Sequence, residues 1–277
     1  MNAIEFQDAS LALGGRTILS GVNLAIAEGE FVGMLGANGS GKTTFMRAVL
    51  GLVPASGGAI RVLGRNAARG NPAIGYVPQV RNDGGSLRLS GWDFVAAVVD
   101  GHRPGLPFLG REGRASVERA LELVGARGLA RRPLSEISGG ERQRLLLAQA
   151  LAGQPKMLLM DEPLNNLDPH HQQAIVDLVK SVQTELGITV VLSSHELNPL
   201  LGVLDRVLYL GNGQAALGTV DDVITNSVLS RLYGSQIEVI HVGGHIFIVS
   251  DGHEIEHGAH RHSDSAAAYR EARPADV

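Results

Sequence analysis

Gly36-Ala37-Asn38-Gly39-Ser40-Gly41-Lys42-Thr43-Thr44 sits between two runs of different periodicity. Before it, Phe31-Val32-Gly33-Met34-Leu35 reads as a short buried strand; after it, Phe45-Met46-Arg47-Ala48-Val49-Leu50 continues at helical spacing. A strand, a glycine-rich turn and a helix in this order form a phosphate-binding loop. The glycines let backbone N–H groups turn inward on an anion, Lys42 brings a mobile charge to the β and γ phosphates, and the Thr43 hydroxyl is placed to ligate Mg²⁺. The helix that opens there aims its positive end at the same anion. The bland alternative is a glycine-rich turn before a helix, and the correct flanking elements argue against it. The loop alone does not distinguish among kinases, GTPases, transporters and motors.

Working outward, 277 residues are enough for one large domain or two modest ones with a real core. Apolar residues make up 44% and charged residues 19%, the composition of a folded globular protein. A formal net charge of −4 gives no electrostatic case for a nucleic-acid partner. With no cysteine, disulfides and thiolate metal sites are excluded. No run of about 18 apolar residues is present, and the amino terminus reads as strand rather than leader, so a membrane role is expected to come through a partner.

Short strands are expected at 4–6, 10–13 and 22–26, with a turn at Gly14-Gly15. After the loop helix come strands at 59–63 and 74–79, the second stopping at Pro78 with Gln79 at its mouth. Residues 80–132 alternate Gly-, Arg- and Pro-rich loops with helical patterns at 92–99 and 115–124, the texture of a helical insertion. Ser138-Gly139-Gly140 then precedes the helical run 145–152. Met157-Leu158-Leu159-Met160 is wholly apolar and runs into Asp161-Glu162, which suggests the centre of a parallel sheet with ligands at its carboxyl edge. A helix over 170–186, a buried strand at 188–192 ending in Ser193-Ser194-His195, a strand within 203–210 and a helix over 221–233 complete an α/β three-layer core.

Four polar elements end near strand edges beside the loop: Gln79, Asp161 with Glu162, Asp168 and His195. Singly, Gln79 reads as a loop amide and His195 as a cap or core histidine. The carboxylate pair is more telling, because Mg²⁺ on a nucleotide needs a carboxylate nearby and hydrolysis needs a group that orients water.

Taken in order, these residues make the sequence resemble the ATP-binding subunits of ABC transporters over about residues 1–234. Walker A is 36–44, the Q-loop residue Gln79, the signature 137–143, Walker B 157–162, the D-loop 165–168 and the switch histidine His195. The resemblance implies a P-loop NTPase core of RecA type with an antiparallel β subdomain and an inserted helical lobe at about 80–153. It implies two subunits head to tail, each signature (Ser138, Gly139, Gly140, Glu141) closing on the partner's γ-phosphate. ATP and Mg²⁺ would be held by 36–44, with Thr43, Gln79 and Asp161 at the metal, Asp168 in the D-loop, Glu162 orienting water, and His195 and Lys42 at the γ-phosphate. Two departures stand out. Leu13 occupies the position where the family usually carries an adenine-stacking aromatic, and Glu141 stands where Gln is commoner.

A single cassette without a span implies a separate integral membrane permease, with the protein peripheral on the cytoplasmic face of the plasma (inner) membrane. That lobe is where the family docks a permease helix, and Trp92 and Phe94 serve either that contact or the lobe's core. The carboxyl region is most similar to ATPases of zinc and manganese uptake, which implies an extracytoplasmic metal-binding protein as an indirect partner. Manganese, iron-chelate or haem import and a soluble non-transport ATPase are the alternatives.

Residues 235–277 form a second region. Six of the ten histidines fall there: His241, His245, His253, His257, His260 and His262. Strands at 237–242 and 245–249 around Gly243-Gly244 make a two-residue hairpin in which Val242 faces His245 and His241 faces Ile246. The two hairpin histidines then lie on opposite faces and share no metal. The later histidines, with Asp251, Glu254 and Glu256, read either as a weak zinc site or as a solvated polar tail.

Overall fold

The computed structural model describes residues 1–79, 89–99 and 109–250, and the backbone of 253 and 254. The expectations for 80–88 and for the histidine-rich tail beyond 254 lie outside the described residues.

The first sheet begins with β1 (Asn2–Leu13) and β2 (Arg16–Ala27). β3 (Phe31–Leu35) starts the second sheet and leads through the glycine loop into α1 (Lys42–Val49). β4 (Gly57–Val62) and β5 (Arg65–Asn66) complete the first, giving an antiparallel order β2-β1-β4-β5. β6 (Ile74–Val77) then precedes the helical lobe of α2 (Gly91–Ala96), α3 (Arg111–Leu123) and α4 (Gly139–Leu151). β7 (Met157–Met160), α5 (Pro169–Leu186), β8 (Thr189–Ser193), β9 (Arg206–Gly211) and β10 (Gln214–Gly218) finish the central sheet, whose order is β10-β9-β3-β8-β7-β6. It is parallel throughout except for β10, which pairs antiparallel to β9.

The wholly apolar strands are buried on both faces, as their composition demands. In β7, Met157 and Leu159 face the antiparallel sheet with Phe6 and Phe45, whose rings stack at 4.6 Å; Leu158 and Met160 face α4 and α5. Three layers result: antiparallel sheet with α1, central sheet, and helices.

The strands expected at 4–6 and 10–13 are one strand, continuous through a bulge. Asp8 adopts a left-handed φ of 45°, and the register shifts between Phe6 and Ala9, so the chain bends without leaving the sheet. The helix expected over 221–233 is two, α6 (Val220–Val223) and α7 (Asn226–Tyr233), because Thr225 is extended and caps α7 by accepting from the Val228 N–H. The strand expected from 203 starts at Arg206; Asp205, just before it, accepts the Phe31 N–H at 2.7 Å.

At the carboxyl end β11 (Ile237–Val242) and β12 (His245–Ser250) pair with Val242 opposite His245 and His241 opposite Ile246, and a two-residue β13 (His253–Glu254) adds to β12. Ile237, Ile246 and Ile248 are buried with Leu35, Tyr209 and Leu229, so this hairpin packs on the core.

Candidate functional site

Four parallel strands set the site. In the order β3-β8-β7-β6, their carboxyl ends deliver the glycine loop, His195, Asp161 with Glu162, and Gln79 side by side. His195 therefore lies between Lys42 and Glu162 although it is more than a hundred residues from Lys42 in sequence. Ligand sites of open α/β sheets form at such edges.

The loop folds as its composition requires. Gly36 (φ 141°) has no room for a Cβ, which would strike the Leu210 carbonyl and come within 2.6 Å of Ser40 Oγ. Gly41 (φ 106°) lies at the start of α1, where a Cβ would meet Ile18 at 2.8 Å. The Lys42 side chain is 5% exposed and donates to the Gly36 carbonyl at 2.7 Å and the Ala37 carbonyl at 3.4 Å. Its Nζ lies 3.4 Å from His195 Nδ1 and 3.9 Å from Glu162. Burial pulls the Lys42 ammonium below its ordinary pKa, opposed by the charges of Glu162 and Asp161. Ser40 Oγ is buried with no hydrogen-bond partner.

Glu162 is the point of convergence. Its Oε1 meets His195 Nε2 at 2.6 Å; its Oε2 accepts from Gln79 Nε2 at 2.6 Å and from Asn165 Nδ2 at 2.7 Å. The hydrogen bond from His195, ahead of the charges of His195 and Lys42, holds this carboxyl below its usual range in spite of partial burial. Asp161 is buried and accepts from Ser193 Oγ at 2.9 Å. Beside it, burial and the Asp161 charge push the Tyr76 hydroxyl up to about 12.

The signature residues are assembled elsewhere. Ser138 caps α4 by accepting the Glu141 N–H, and the Glu141 carboxylate returns to the Ser138 N–H at 2.9 Å, a reciprocal capping box. Arg132 also holds Glu141, at 2.7 Å. Ser138 and Gly139 are exposed. Asp168 caps α5 and bonds His171 Nδ1 at 2.6 Å; a Cβ on Gly140 would meet the same His171 ring at 3.2 Å, so D-loop and signature adjoin. Among the described residues, no hydrogen bond or ion pair joins Ser138, Gly139, Gly140 or Glu141 to the glycine loop. Gln79, Lys42, Asp161, Glu162 and His195 are brought together; the signature and Asp168 form a second, exposed group.

From sequence alone Arg132 and Ser193 carry no sign of a role, and Asn165 stands out only as part of the D-loop. The Ser138-x-x-Glu141 spacing was itself a capping-box signal.

A family model for ABC transporters matches residues 19–165, just over half of the chain. The chain belongs to the ABC transporter family. It is an ATPase, and the ATPase cassettes of this family work as dimers with membrane permeases. It is 34% identical over 242 residues to the zinc transport system ATP-binding protein TroB of Treponema pallidum (strain Nichols), covering 85% of this chain and 88% of that one. It is 33% identical over 244 residues to the manganese transport system ATP-binding protein MntB of Bacillus subtilis (strain 168), covering 86% and 94%. Among solved structures, a nucleotide-free ATP-binding cassette from an ABC transporter superposes with a TM-score of 0.73 at 22% identity, covering 85% of this chain and 100% of that one. No helix of the described residues is long and apolar enough to cross a membrane.

Proposed function

We propose that this ABC ATPase energises the import of a divalent metal ion, zinc foremost, through a separate membrane permease. It works as a head-to-tail homodimer, peripheral on the cytoplasmic face of the membrane. The observation that carries the hydrolytic part is the Glu162 carboxylate, which receives His195, Gln79 and Asn165 within 2.7 Å beside a buried Lys42. The metal part is supported by the likeness to TroB. Manganese is the second reading, favoured by the comparable likeness to MntB.

The residues fit ATP with Mg²⁺. Ser40 Oγ is a buried, unpartnered polar atom in the glycine cradle, and Gly36 leaves no room for a side chain there. Thr43, Gln79 and Asp161 are a hard-oxygen donor set of the kind Mg²⁺ takes, and Gln79 spends its amide nitrogen on Glu162, which leaves its carbonyl oxygen for a metal. Bound there, Mg²⁺ supplies neutralising charge to the β and γ phosphates. The amides of 36–44 and Lys42 would hold the phosphates, and Thr43, Gln79 and Asp161 would hold the metal. Glu162 orients the attacking water, and His195 contacts the γ-phosphate. The exposed signature Ser138-Gly139-Gly140 caps the partner's nucleotide with helix-end N–H groups, Glu141 holding that cap, and Asp168 stands at the shared interface.

Cellular zinc, manganese and iron measured in a strain lacking this gene, with and without the wild-type copy, test the assignment. A zinc deficit restored by the wild-type copy and not by Glu162→Gln is the expected result. A deficit confined to manganese moves the substrate to the second reading, and unchanged metal contents overturn import of these ions.

A further inference from the structure

Ser193 lies at the end of β8, two residues before His195, with its residue surface wholly buried. A serine there reads from sequence as the last residue of a buried strand. In the folded chain it bridges two strands. Its hydroxyl accepts the backbone N–H of Glu162 at 2.8 Å and donates to the Asp161 carboxylate at 2.9 Å. The hydroxyl has one proton to give and lone pairs to receive with, so the two bonds fix its direction: Glu162 N–H to Ser193 Oγ, Ser193 O–H to Asp161 Oδ1.

Both bonds meet a structural need. The Asp161 N–H still belongs to the parallel ladder, donating to the Val77 carbonyl at 2.9 Å. One residue on, the chain leaves the sheet, with Glu162 at a φ of 50°, a left-handed conformation uncommon for a residue with a side chain and found at sites where the surroundings hold it. Its N–H has left the ladder, and Ser193 receives it. The turn at Glu162 is what aims its side chain at Gln79, Asn165 and His195 instead of back along β7. Asp161, 3% exposed, needs a donor for its inward oxygen, and Ser193 gives one.

We infer that Ser193 is a positioning residue for ATP hydrolysis: one buried hydroxyl, borne on the strand that also delivers His195, locks the left-handed Glu162 and the Asp161 carboxylate into a single rigid unit. The inference rests on the roles given above to Glu162 and Asp161. It adds that the relative placement of these carboxylates and His195 is set by one inter-strand contact between β7 and β8.

The test compares Ser193→Thr with Ser193→Val in the full-length protein. The two side chains have nearly the same shape, and only the first keeps the hydroxyl. Misplacing a group by about 1 Å costs on the order of 100-fold in rate, so Ser193→Val is expected to lower kcat by about 100-fold with the KM for ATP within about 3-fold. Ser193→Thr recovers most of that loss. A second readout is independent of turnover: amide hydrogen exchange at Glu162 speeds up in Ser193→Val and stays protected in Ser193→Thr. Ser193→Ala, which only removes atoms, repeats the loss should the branched variants fold poorly. Equal kcat in the Thr and Val variants, or a Glu162 amide that stays protected in Ser193→Val and Ser193→Ala, overturns the inference. Glu162→Gln runs alongside: if it hydrolyses ATP normally, the assignment of Glu162 fails. If it is dead while Ser193→Val turns over at the wild-type rate, the role of Ser193 alone fails.

Discussion

Glu162→Gln changes one atom type at the most connected point of the site, and the consequences follow from donor counting. The carboxylate accepts on two oxygens: His195 on Oε1, Gln79 and Asn165 on Oε2. An amide has one acceptor oxygen and one NH₂. If the oxygen takes the place of Oε2, the NH₂ faces His195 Nε2, and the imidazole avoids a donor–donor conflict only by moving its proton to Nδ1, which lies 3.4 Å from the Lys42 ammonium. If the amide turns over, the NH₂ meets the amides of Gln79 and Asn165. Turned the first way one donor loses its partner and turned the second way two do, each at a cost of about 1–3 kcal/mol if fully buried and less here, where the Glu162 side chain is 11% exposed. The chemical cost is larger, because removing a positioned acceptor for the attacking water slows hydrolysis by about 10²–10⁴-fold. Phosphate release at saturating ATP measures that loss, and the ATP-induced rise in melting temperature checks that nucleotide still binds. The folded pKa of Glu162 lies below its ordinary 4.5, so its stabilising contribution is complete above about pH 4.5 and is lost as pH falls through the folded value. The stability gap between wild type and Glu162→Gln is therefore expected to narrow on acidification below pH 4.5. Hydrolysis by Glu162→Gln within about ten-fold of wild type would refute the role of this carboxylate.

Two further perturbations probe other parts of the molecule. Leu13→Tyr, at the half-exposed end of β1, restores a stacking surface worth about 0.5–1.5 kcal/mol, so ATP should bind roughly 2- to 10-fold tighter. An unchanged affinity in a nucleotide titration places the base away from Leu13. Ending the chain after Gly234 removes Ile237, Ile246 and Ile248 from the core, at about 1.5–3 kcal/mol each, a sum comparable with the roughly 5–15 kcal/mol that stabilises a domain. The shortened protein should be insoluble or melt far below the full chain, whereas an unchanged melting curve would show the hairpin to be dispensable.

The fold was legible where composition leaves one solution. Met157-Leu158-Leu159-Met160 has no polar face, so it had to be a central strand, and Gly243-Gly244 between two apolar alternations allows one hairpin register, with Val242 opposite His245. Legibility failed where a single backbone angle decides the outcome. Gln7-Asp8 reads as a polar break, and only the left-handed Asp8 and its bulge carry β1 through it. Similarly, Ile224-Thr225 looks helical until Thr225 is seen to serve as a cap.

The site divides along the same line. Lys42, Gln79, Asp161, Glu162 and His195 were legible because Lys42 closes the glycine loop and the others stand just past apolar strands, and their order along the chain narrows the alternatives. Ser193 and Arg132 were not, because serine at a strand end and arginine before a turn are ordinary residues whose meaning depends on what stands opposite. Arg132 illustrates this. A glutamate at 141, near the exposed Ser138 where an anion would dock, looks unfavourable on charge alone; bonded to Arg132 and turned back onto the Ser138 N–H, the same carboxylate becomes the clasp of the helix cap. Charge compensation across nine residues leaves no periodic trace in the sequence, while the capping box, which spans three, does. Contacts within one turn can be read from spacing, whereas contacts between strands, such as Ser193 with Asp161 and Glu162, emerge only once the sheet order is known.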